Sequence, residues 1–344
     1  MTDRMMQQPL MDRSEKPSSY AMGLARRRAP RIKMILAFGG IYVIWGTTYL
    51  AIRFAIETIP PFLMMAGRYF VAGSTVILLA RARGAKSANS AHWKSAMIVG
   101  GLLFLGGNGP LVWAEQRVPS GLAALLLSTV PLWMVVLDWL LHRGIHLGPR
   151  LIAGLVMGLA GIGLLVGPGQ VLGGNSVDLV DGAVLVAGAL SWAAGSLYSR
   201  RLESSGSTMM SAGMEMASGA CFLLIAALLT GEAKGFSLAK VSARSWISLA
   251  YLIVFGAIIG FFCYRWLLGA TSPARVATYA YVNPLIAVIL GWAVAAEPLS
   301  LRTVLSGAII ISSVALIISH PLRPQPPGAP RSGEEIEECP APAV

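Results

Sequence analysis

Residues 131–139 read PLWMVVLDW, and residues 284–292 read PLIAVILGW. Both stretches begin with a proline inside an apolar run and end with a tryptophan, and a shift of 153 residues lays one on the other. The same shift lays Trp113 on Trp266. Chance matches of Leu and Val are common between apolar segments, whereas matched Trp and Pro are harder to dismiss. The pattern therefore indicates an internal repeat.

A shift of 147 residues relates the preceding parts of the two copies. It lays Trp45 on Trp192 and Arg68 on Glu215. The repeated unit contains five predicted helices, and an odd number means that the second copy enters the membrane from the opposite side. Inverted halves of this kind are typical of secondary transporters, with the substrate site near the midplane between them.

The composition predicts a membrane protein. Of 344 residues, 55% are hydrophobic and 12% are charged, whereas a soluble domain carries roughly 25% charged residues. The apolar residues form runs of about 20, the length that spans the hydrocarbon core of a bilayer. The predicted spans cover residues 34–55, 61–80, 95–113, 120–141, 149–167, 181–200, 209–230, 245–268, 274–296 and 301–319.

The net charge of +11 could indicate a nucleic-acid partner, but its placement argues against one. With the N-terminus inside, most lysines and arginines fall in segments on the inner side, which fits the positive-inside rule and places both termini in the cytoplasm. The basic cluster at residues 26–33 is expected to meet anionic lipid head groups. No nucleic-acid partner is expected.

The sequence thus predicts an all-α membrane protein with ten transmembrane helices arranged as two inverted five-helix repeats. The expected division is a disordered basic cytoplasmic tail (1–33), a first repeat (34–167), an external linker (168–180), a second repeat (181–319) and a disordered cytoplasmic tail (320–344).

Pro131 and Pro284 are candidate helix-breaking residues at matched places in the two halves. A proline inside a helix leaves the carbonyl four residues back without its hydrogen bond. Paired interruptions of this kind are the best sequence pointer to a central binding site. A simple kink, which membrane helices tolerate, is the alternative.

Arg68 and Glu215 are ionisable residues in the middle of predicted spans, where an arginine costs about 2.5–3.5 kcal/mol on insertion scales. We expect such groups to face a cavity or a partner. Glu215 is a candidate for the protonatable coupling residue or for binding a substrate cation, and Arg68 for holding an anionic group. A structural Arg68–Glu215 ion pair that joins the halves is the alternative.

Polar and aromatic side chains within the spans complete the candidate substrate-binding cavity. An interfacial aromatic belt is the alternative for those near helix ends. The further candidates are Trp45, Thr48, Tyr49, Asn108, Trp113, Tyr264, Tyr281 and Asn283.

The sequence gives no sign of an enzyme or of a cofactor. It has no Gly-Lys pair, so a phosphate-binding loop is not expected. His142 and His146 have helical metal-ligand spacing but no third ligand nearby, so no metal site is expected. No nucleophile, base and orienting group can be assembled from the motifs.

At several of these residues the sequence resembles the EamA-domain family of the drug/metabolite transporter superfamily. The resemblance covers residues 34–319. Within the family, these segments look most similar to the branch of bacterial inner-membrane metabolite and amino-acid exporters. In that family a Gly-Glu pair follows the fourth helix of each repeat; here the second repeat keeps Glu297, but the first has Arg143-Gly144. The segments that carry the resemblance are IWGTTY (44–49), GNG (107–109), AEQ (114–116), VPSG (118–121), SW (191–192), SPA (272–274), YAYVNP (279–284) and AEP (296–298).

The resemblance implies a multi-pass secondary transporter of the bacterial inner membrane that exports small metabolites such as amino acids by alternating access. A proton-coupled exporter of cationic drugs is one alternative, and a non-transporting sensor or assembly subunit is another. The expected partners are a small-molecule substrate and the lipid bilayer, with protons and a homodimer as further candidates.

Overall fold

The structure is a computed structural model that describes residues 31–86, 88–141, 149–165, 177–201, 207–271, 276 and 278–318. All regular elements among these residues are helices, which confirms the predicted all-α class. Large apolar side chains such as Leu78, Val156 and Ile247 lie on the outside of the bundle. A surface of this kind suits lipid rather than water.

In the first half, the third and fourth predicted spans are each built from consecutive pieces, because a π-helical stretch interrupts one and a break interrupts the other. The elements are α1 (Arg31–Ala55), α2 (Pro61–Ala82), α3 (Ser90–Gly100), the π-helical stretch Gly101–Asn108, α4 (Gly109–Ala114), α5 (Ser120–Leu127), α6 (Val130–Leu141) and α7 (Pro149–Leu165).

The second half also has a π-helical stretch in its third span, but its fourth span is one continuous helix. The elements are α8 (Leu179–Arg201), α9 (Thr208–Leu229), a 3-10 turn (Leu238–Lys240), α10 (Ala243–Tyr251), the π-helical stretch Leu252–Gly260, α11 (Phe261–Ala270), α12 (Tyr279–Ala295) and α13 (Leu301–Ile318).

Seven helical stretches of the described chain are long and apolar enough to cross a membrane. Three further apolar helices, at 152–164, 282–295 and 301–316, are shorter. Each predicted span overlaps a helix, but the total of ten membrane crossings stays a prediction. The seven stretches are Arg31–Ala55, Pro61–Ala82, Ser90–Ala114, Ser120–Leu140, Leu179–Ser199, Thr208–Leu229 and Ala243–Leu267.

The two halves pack together through reciprocal helix contacts. α2 packs along α9, and α7 packs along α13, so each pair joins equivalent elements of the two halves. α1 packs against the π-helical stretch 252–260 and α12, and α8 packs in the same way against the π-helical stretch 101–108 and α6. Equivalent elements of the two halves therefore make equivalent contacts with the opposite half.

Glycines permit the closest of these contacts. A Cβ atom on Gly73 of α2 would lie 2.7 Å from the amide nitrogen of Ala217 and 2.9 Å from the carbonyl oxygen of Gly213, both in α9. Small residues of this kind let helix backbones approach closely in membranes, where packing replaces the hydrophobic effect as the source of helix association.

We predict that Gly73→Ala destabilises the protein, because the added methyl group meets backbone atoms of α9 that cannot move alone. Overpacking of this kind costs about 1–3 kcal/mol. The midpoint of thermal aggregation of detergent-solubilised protein should fall accordingly.

Gly67→Ala is the matched control on the same helix, since no heavy atom lies within 4 Å of a Cβ atom there. Replacing an exposed helical glycine by alanine is neutral or stabilising by about 0.5–1 kcal/mol. Equal melting of the two variants would contradict close α2–α9 packing.

Candidate functional site

A cavity of about 90 Å³ lies between the two halves. This space holds a few water molecules or a small polar group. Its walls come from α1, α2, the third and fourth spans, α8 and α12. The lining residues are Trp45, Thr48, Tyr49, Ile52, Arg68, Gly107, Asn108, Leu111, Leu127, Val130, Trp192, Tyr279 and Asn283.

Two tryptophans that line the cavity, one from each half, are held by reciprocal contacts. The Trp45 indole donates to the Gly256 carbonyl oxygen (3.2 Å), and a Cβ atom on Gly260 would lie 2.5 Å from its Nε1 atom. In the other half, a Cβ atom on Gly107 would lie 2.9 Å from Cε3 of Trp192. All three glycines belong to the π-helical stretches, a geometry that is frequent at functional sites.

An aromatic cluster forms around Trp45. Its ring centroid lies 6.1 Å from that of Trp192, 5.1 Å from that of Tyr264 and 5.2 Å from that of Tyr279. The contacts with Trp192 and Tyr279 are edge-to-face, which places ring edges against the faces of their neighbours. The cluster therefore gives the cavity a rigid aromatic wall.

The two matched prolines have different effects. α5 ends at Leu127 and α6 begins at Val130, so Pro131 opens the second piece of an interrupted helix. Both residues that flank the interruption line the cavity. α12 instead runs on through Pro284. The first half therefore has a helix break beside the cavity, whereas Pro284 removes one hydrogen bond within a continuous helix.

Asn283 ties α12 to α1 beside the cavity. With its amide nitrogen turned toward them, it donates to the carbonyl oxygens of Tyr279 (3.2 Å) and Tyr42 (3.1 Å). The Tyr42 hydroxyl lies 2.6 Å from Oγ1 of Thr278. Asn283 thereby joins the two halves through backbone carbonyls.

Arg68 is buried on the cavity wall, with 4% of its surface exposed. Its guanidinium lies over the Tyr69 ring at 4.8 Å and against Met65 Sδ at 3.7 Å, which is a weak acceptor. Its Nε has no hydrogen-bond partner, and no carboxylate in the described chain lies within ion-pair distance. The cavity wall therefore carries a positive charge that no side-chain anion neutralises by contact.

Glu215 does not pair with Arg68. Its Oε1 lies 3.5 Å from Nη2 of Arg265, and Arg265 also donates to the Ser199 hydroxyl at 3.2 Å. This ion pair lies within the second half, and neither partner lines the cavity. The alternative of an Arg68–Glu215 pair that joins the halves is wrong in this conformation.

The other predicted site residues are placed differently from one another. Thr48, Tyr49 and Asn108 line the cavity with Trp45, Arg68 and Asn283. Tyr264 lies behind the wall in the aromatic cluster, and its hydroxyl donates to Ser196 (3.3 Å). Trp113 lies under the Arg117 guanidinium at 4.0 Å, away from the cavity. The side chain of Tyr281 lies outside the described residues.

Polar contacts join the two halves at one end of the bundle, which we call the outer end after its predicted orientation. The Arg117–Asp181 ion pair is 2.6 Å long, and the Arg244–Glu57 pair is 3.3 Å long. Glu297 of the second half accepts hydrogen bonds from the first two amides of α5. We call these contacts the outer seal.

Sequence reasoning did not place Trp192 and Tyr279 in the site, although both carried a signal. Trp192 is the repeat equivalent of Trp45, and Tyr279 lies one helical turn before Asn283. It also did not select Glu115, which lies between the cavity and the outer seal. Glu115 follows a predicted span in sequence, so its burial could not be read from hydropathy.

A profile of the EamA-like transporter family matches residues 32–167 and again residues 182–319. The chain belongs to the EamA-like transporter family. The described residues contain no group of three or more metal-ligating side chains.

Known relatives agree with this assignment. The Escherichia coli (strain K12) protein named "Uncharacterized inner membrane transporter YedA" is 36% identical over 283 residues, which are 82% of this chain and 89% of the relative. The "Probable amino-acid metabolite efflux pump" of the same organism is 24% identical over 262 residues, 72% of this chain and 81% of the relative. The predicted multi-pass location in the inner membrane is confirmed.

A solved protein structure shares the fold. It superposes with a TM-score of 0.59 at 23% sequence identity and covers 83% of this chain and 97% of its own. The sidedness of the termini stays a prediction.

We predict that Glu215→Gln destabilises the protein, because it leaves the partly buried Arg265 guanidinium without its counter-charge. Removing one partner of a buried ion pair costs about 3–5 kcal/mol, and the 3.5 Å separation places the expected loss near the lower value. Thermal melting of the purified variant measures the loss.

Two further variants make the test specific. Glu215→Gln combined with Arg265→Gln should recover at least half of the loss, since no charge is then left unpaired. Glu57→Gln breaks the exposed pair with Arg244 and should cost less than about 1 kcal/mol. Additive losses in the double variant would show that the two residues do not interact.

Proposed function

We propose that the protein is a secondary active transporter that exports small metabolites such as amino acids by alternating access around the cavity. The observation that carries the proposal is this cavity, which both halves line and whose wall holds the buried cation of Arg68. The family assignment supports transport, and the geometry suggests what the cavity accepts.

The reciprocal packing supports inverted halves that exchange conformations. Trp45 of the first half packs on Gly260 of the second, and Trp192 of the second packs on Gly107 of the first. Two copies of a five-helix unit that contact each other reciprocally fit a pseudo-two-fold axis in the membrane plane. Rocking of one half against the other would open the cavity to each side in turn.

The chemistry of the cavity favours a substrate with a carboxylate. Arg68 offers several N–H donors in a fixed planar fork, which matches a carboxylate in two-point contact. Thr48 and Asn108 supply further polar groups beside it. The amino-acid efflux pump among the relatives fits this substrate class.

Export of cationic drugs is the second candidate, and the aromatic cluster around Trp45 favours it, because aromatic faces attract organic cations. The positive charge of Arg68 on the same wall opposes it. A sensor or assembly subunit would need no polar cavity between its halves, and the lining therefore counts against that alternative.

We predict that Arg68→Gln abolishes protection of a sensitive host against toxic amino-acid analogues. Loss of a charge-assisted hydrogen bond costs about 1.5–3 kcal/mol, which corresponds to roughly tenfold or more in apparent affinity. Arg68→Lys should retain only part of the protection, because an ammonium group cannot make the two-point contact. Growth inhibition curves with and without each variant measure the effect.

Arg81→Gln is the control, since Arg81 is exposed near the end of the same helix. It should protect as the wild type does. Protection by the wild type against quaternary ammonium compounds, unchanged or improved in Arg68→Gln, would favour the drug exporter instead. Protection against neither class by correctly inserted wild type would count against export.

A further inference from the structure

Glu115 carries a buried carboxyl group that has no hydrogen-bond partner in the part of the chain that the structure describes. It directly follows α4, and none of its surface is exposed. Neither Oε1 nor Oε2 has a partner among the described residues. An ionised carboxylate in such a place costs several kcal/mol, so the group is neutral in this conformation.

Charged groups surround Glu115 on several sides, but none bonds to its carboxyl oxygens. Arg53 of α1 donates from Nη1 to the backbone oxygen of Glu115 at 2.7 Å instead. Burial raises the pKa of the Glu115 carboxyl well above its usual range; the nearby Glu297 carboxylate also raises it, whereas Arg53 and Arg68 lower it. Because Arg68 also lines the cavity, the charge of the Glu115 carboxyl interacts electrostatically with a residue of the cavity wall.

The segment that follows Glu115 forms the outer seal. Glu297 of the second half accepts hydrogen bonds from the amides of Ser120 (2.8 Å) and Gly121 (3.1 Å) at the start of α5. Arg117 bridges to Asp181 of the second half with two hydrogen bonds, of 2.6 and 3.3 Å. If the outer end opens, these contacts must separate, and water then reaches the segment that begins at Glu115.

We propose that Glu115 is a proton-binding site that controls the outer gate. The inference rests on the alternating access proposed above. When the gate is closed, Glu115 carries a proton on one carboxyl oxygen; when the gate opens, that O–H bond breaks and the proton passes to external water, leaving a hydrated carboxylate. Closing requires a proton from the same side.

Several other acidic groups of the outer end have polar partners. Asp181 and Glu57 are held in ion pairs, Glu297 accepts two amide hydrogen bonds, and Glu232 accepts one from the Leu63 amide. Glu115 differs from them, because neither of its carboxyl oxygens has a hydrogen-bond partner among the described residues. We therefore assign the proton that is bound in the closed state to Glu115.

The sign of the pH dependence follows from this difference. The closed state binds one proton more than the open state, so closure is favoured at low external pH and opening at high external pH. At pH values between the pKa of Glu115 in the open state and its pKa in the closed state, the opening equilibrium changes by at most about tenfold per pH unit. Glu115→Gln removes the titrating group and should remove this dependence.

The proposal can be tested without any substrate by labelling the variant Leu111→Cys. Leu111 is buried on the cavity wall. The native cysteines are first replaced by alanine, and a membrane-impermeant maleimide is added outside intact cells. Labelling is normalised to Ala239→Cys, an exposed position in the 3-10 turn. From about pH 6 to about pH 8, normalised labelling in the wild-type background should rise at least about fivefold.

Glu115→Gln should give the same normalised labelling at both pH values, and Glu115→Asp should restore the rise. Glu57→Gln is the matched control, since it weakens the seal at an exposed ion pair and should change the level of labelling but keep the rise. Labelling of Ala239→Cys in every variant shows that it is inserted.

Three outcomes would overturn the proposal: a rise that persists in Glu115→Gln, a wild type that shows no rise, or an Ala239→Cys reporter that is labelled only after the cells are permeabilised. Because the readout involves no transport, it is separate from the test of export. If the protein fails to protect the host but shows the Glu115-dependent rise in labelling, the gate proposal stands and the proposed substrate class is wrong.

Discussion

The site depends on one reciprocal contact, in which a tryptophan of each half packs on a glycine in a π-helical stretch of the other half. A side chain larger than hydrogen at Gly107 or Gly260 would occupy the space of the facing indole. The indoles thereby join α1 and α8 to the third spans of the opposite halves beside the cavity.

Lipid supplies no hydrogen bonds, so the bundle must balance its buried charges internally. Arg265 and Glu215 neutralise each other within the second half. Arg68 is left on the cavity wall, where its nearest described neighbours are an aromatic ring and a thioether. In the proposed mechanism, Arg265 and Glu215 form a structural pair, whereas Arg68 is available to an anionic ligand, because a buried charge without a counter-ion gains from a partner of opposite charge.

Hydropathy and the internal repeat predict the helical class, the approximate spans and several cavity residues. Trp45, Arg68 and Asn283 could be selected because a tryptophan, a mid-span charge and an amide beside a proline are each unusual in hydrocarbon. The π-helical stretches could not be predicted, because a single extra residue in a turn leaves no periodic signal. The partner of Glu215 could not be predicted either, since Arg265 lies 50 positions away on another helix and only the packing brings them together.

The two deep carboxyl groups illustrate why burial alone does not reveal a role. Glu215 has the Arg265 guanidinium beside it within the same half, so a motion that moves α9 and α11 together does not separate the two groups. Glu115 has no such partner and lies where the halves meet, so its environment must change when the outer contacts separate. A group that is neutral in one conformation and hydrated in the other links the free-energy difference between those conformations to pH. The conformational equilibrium can then respond to a proton gradient.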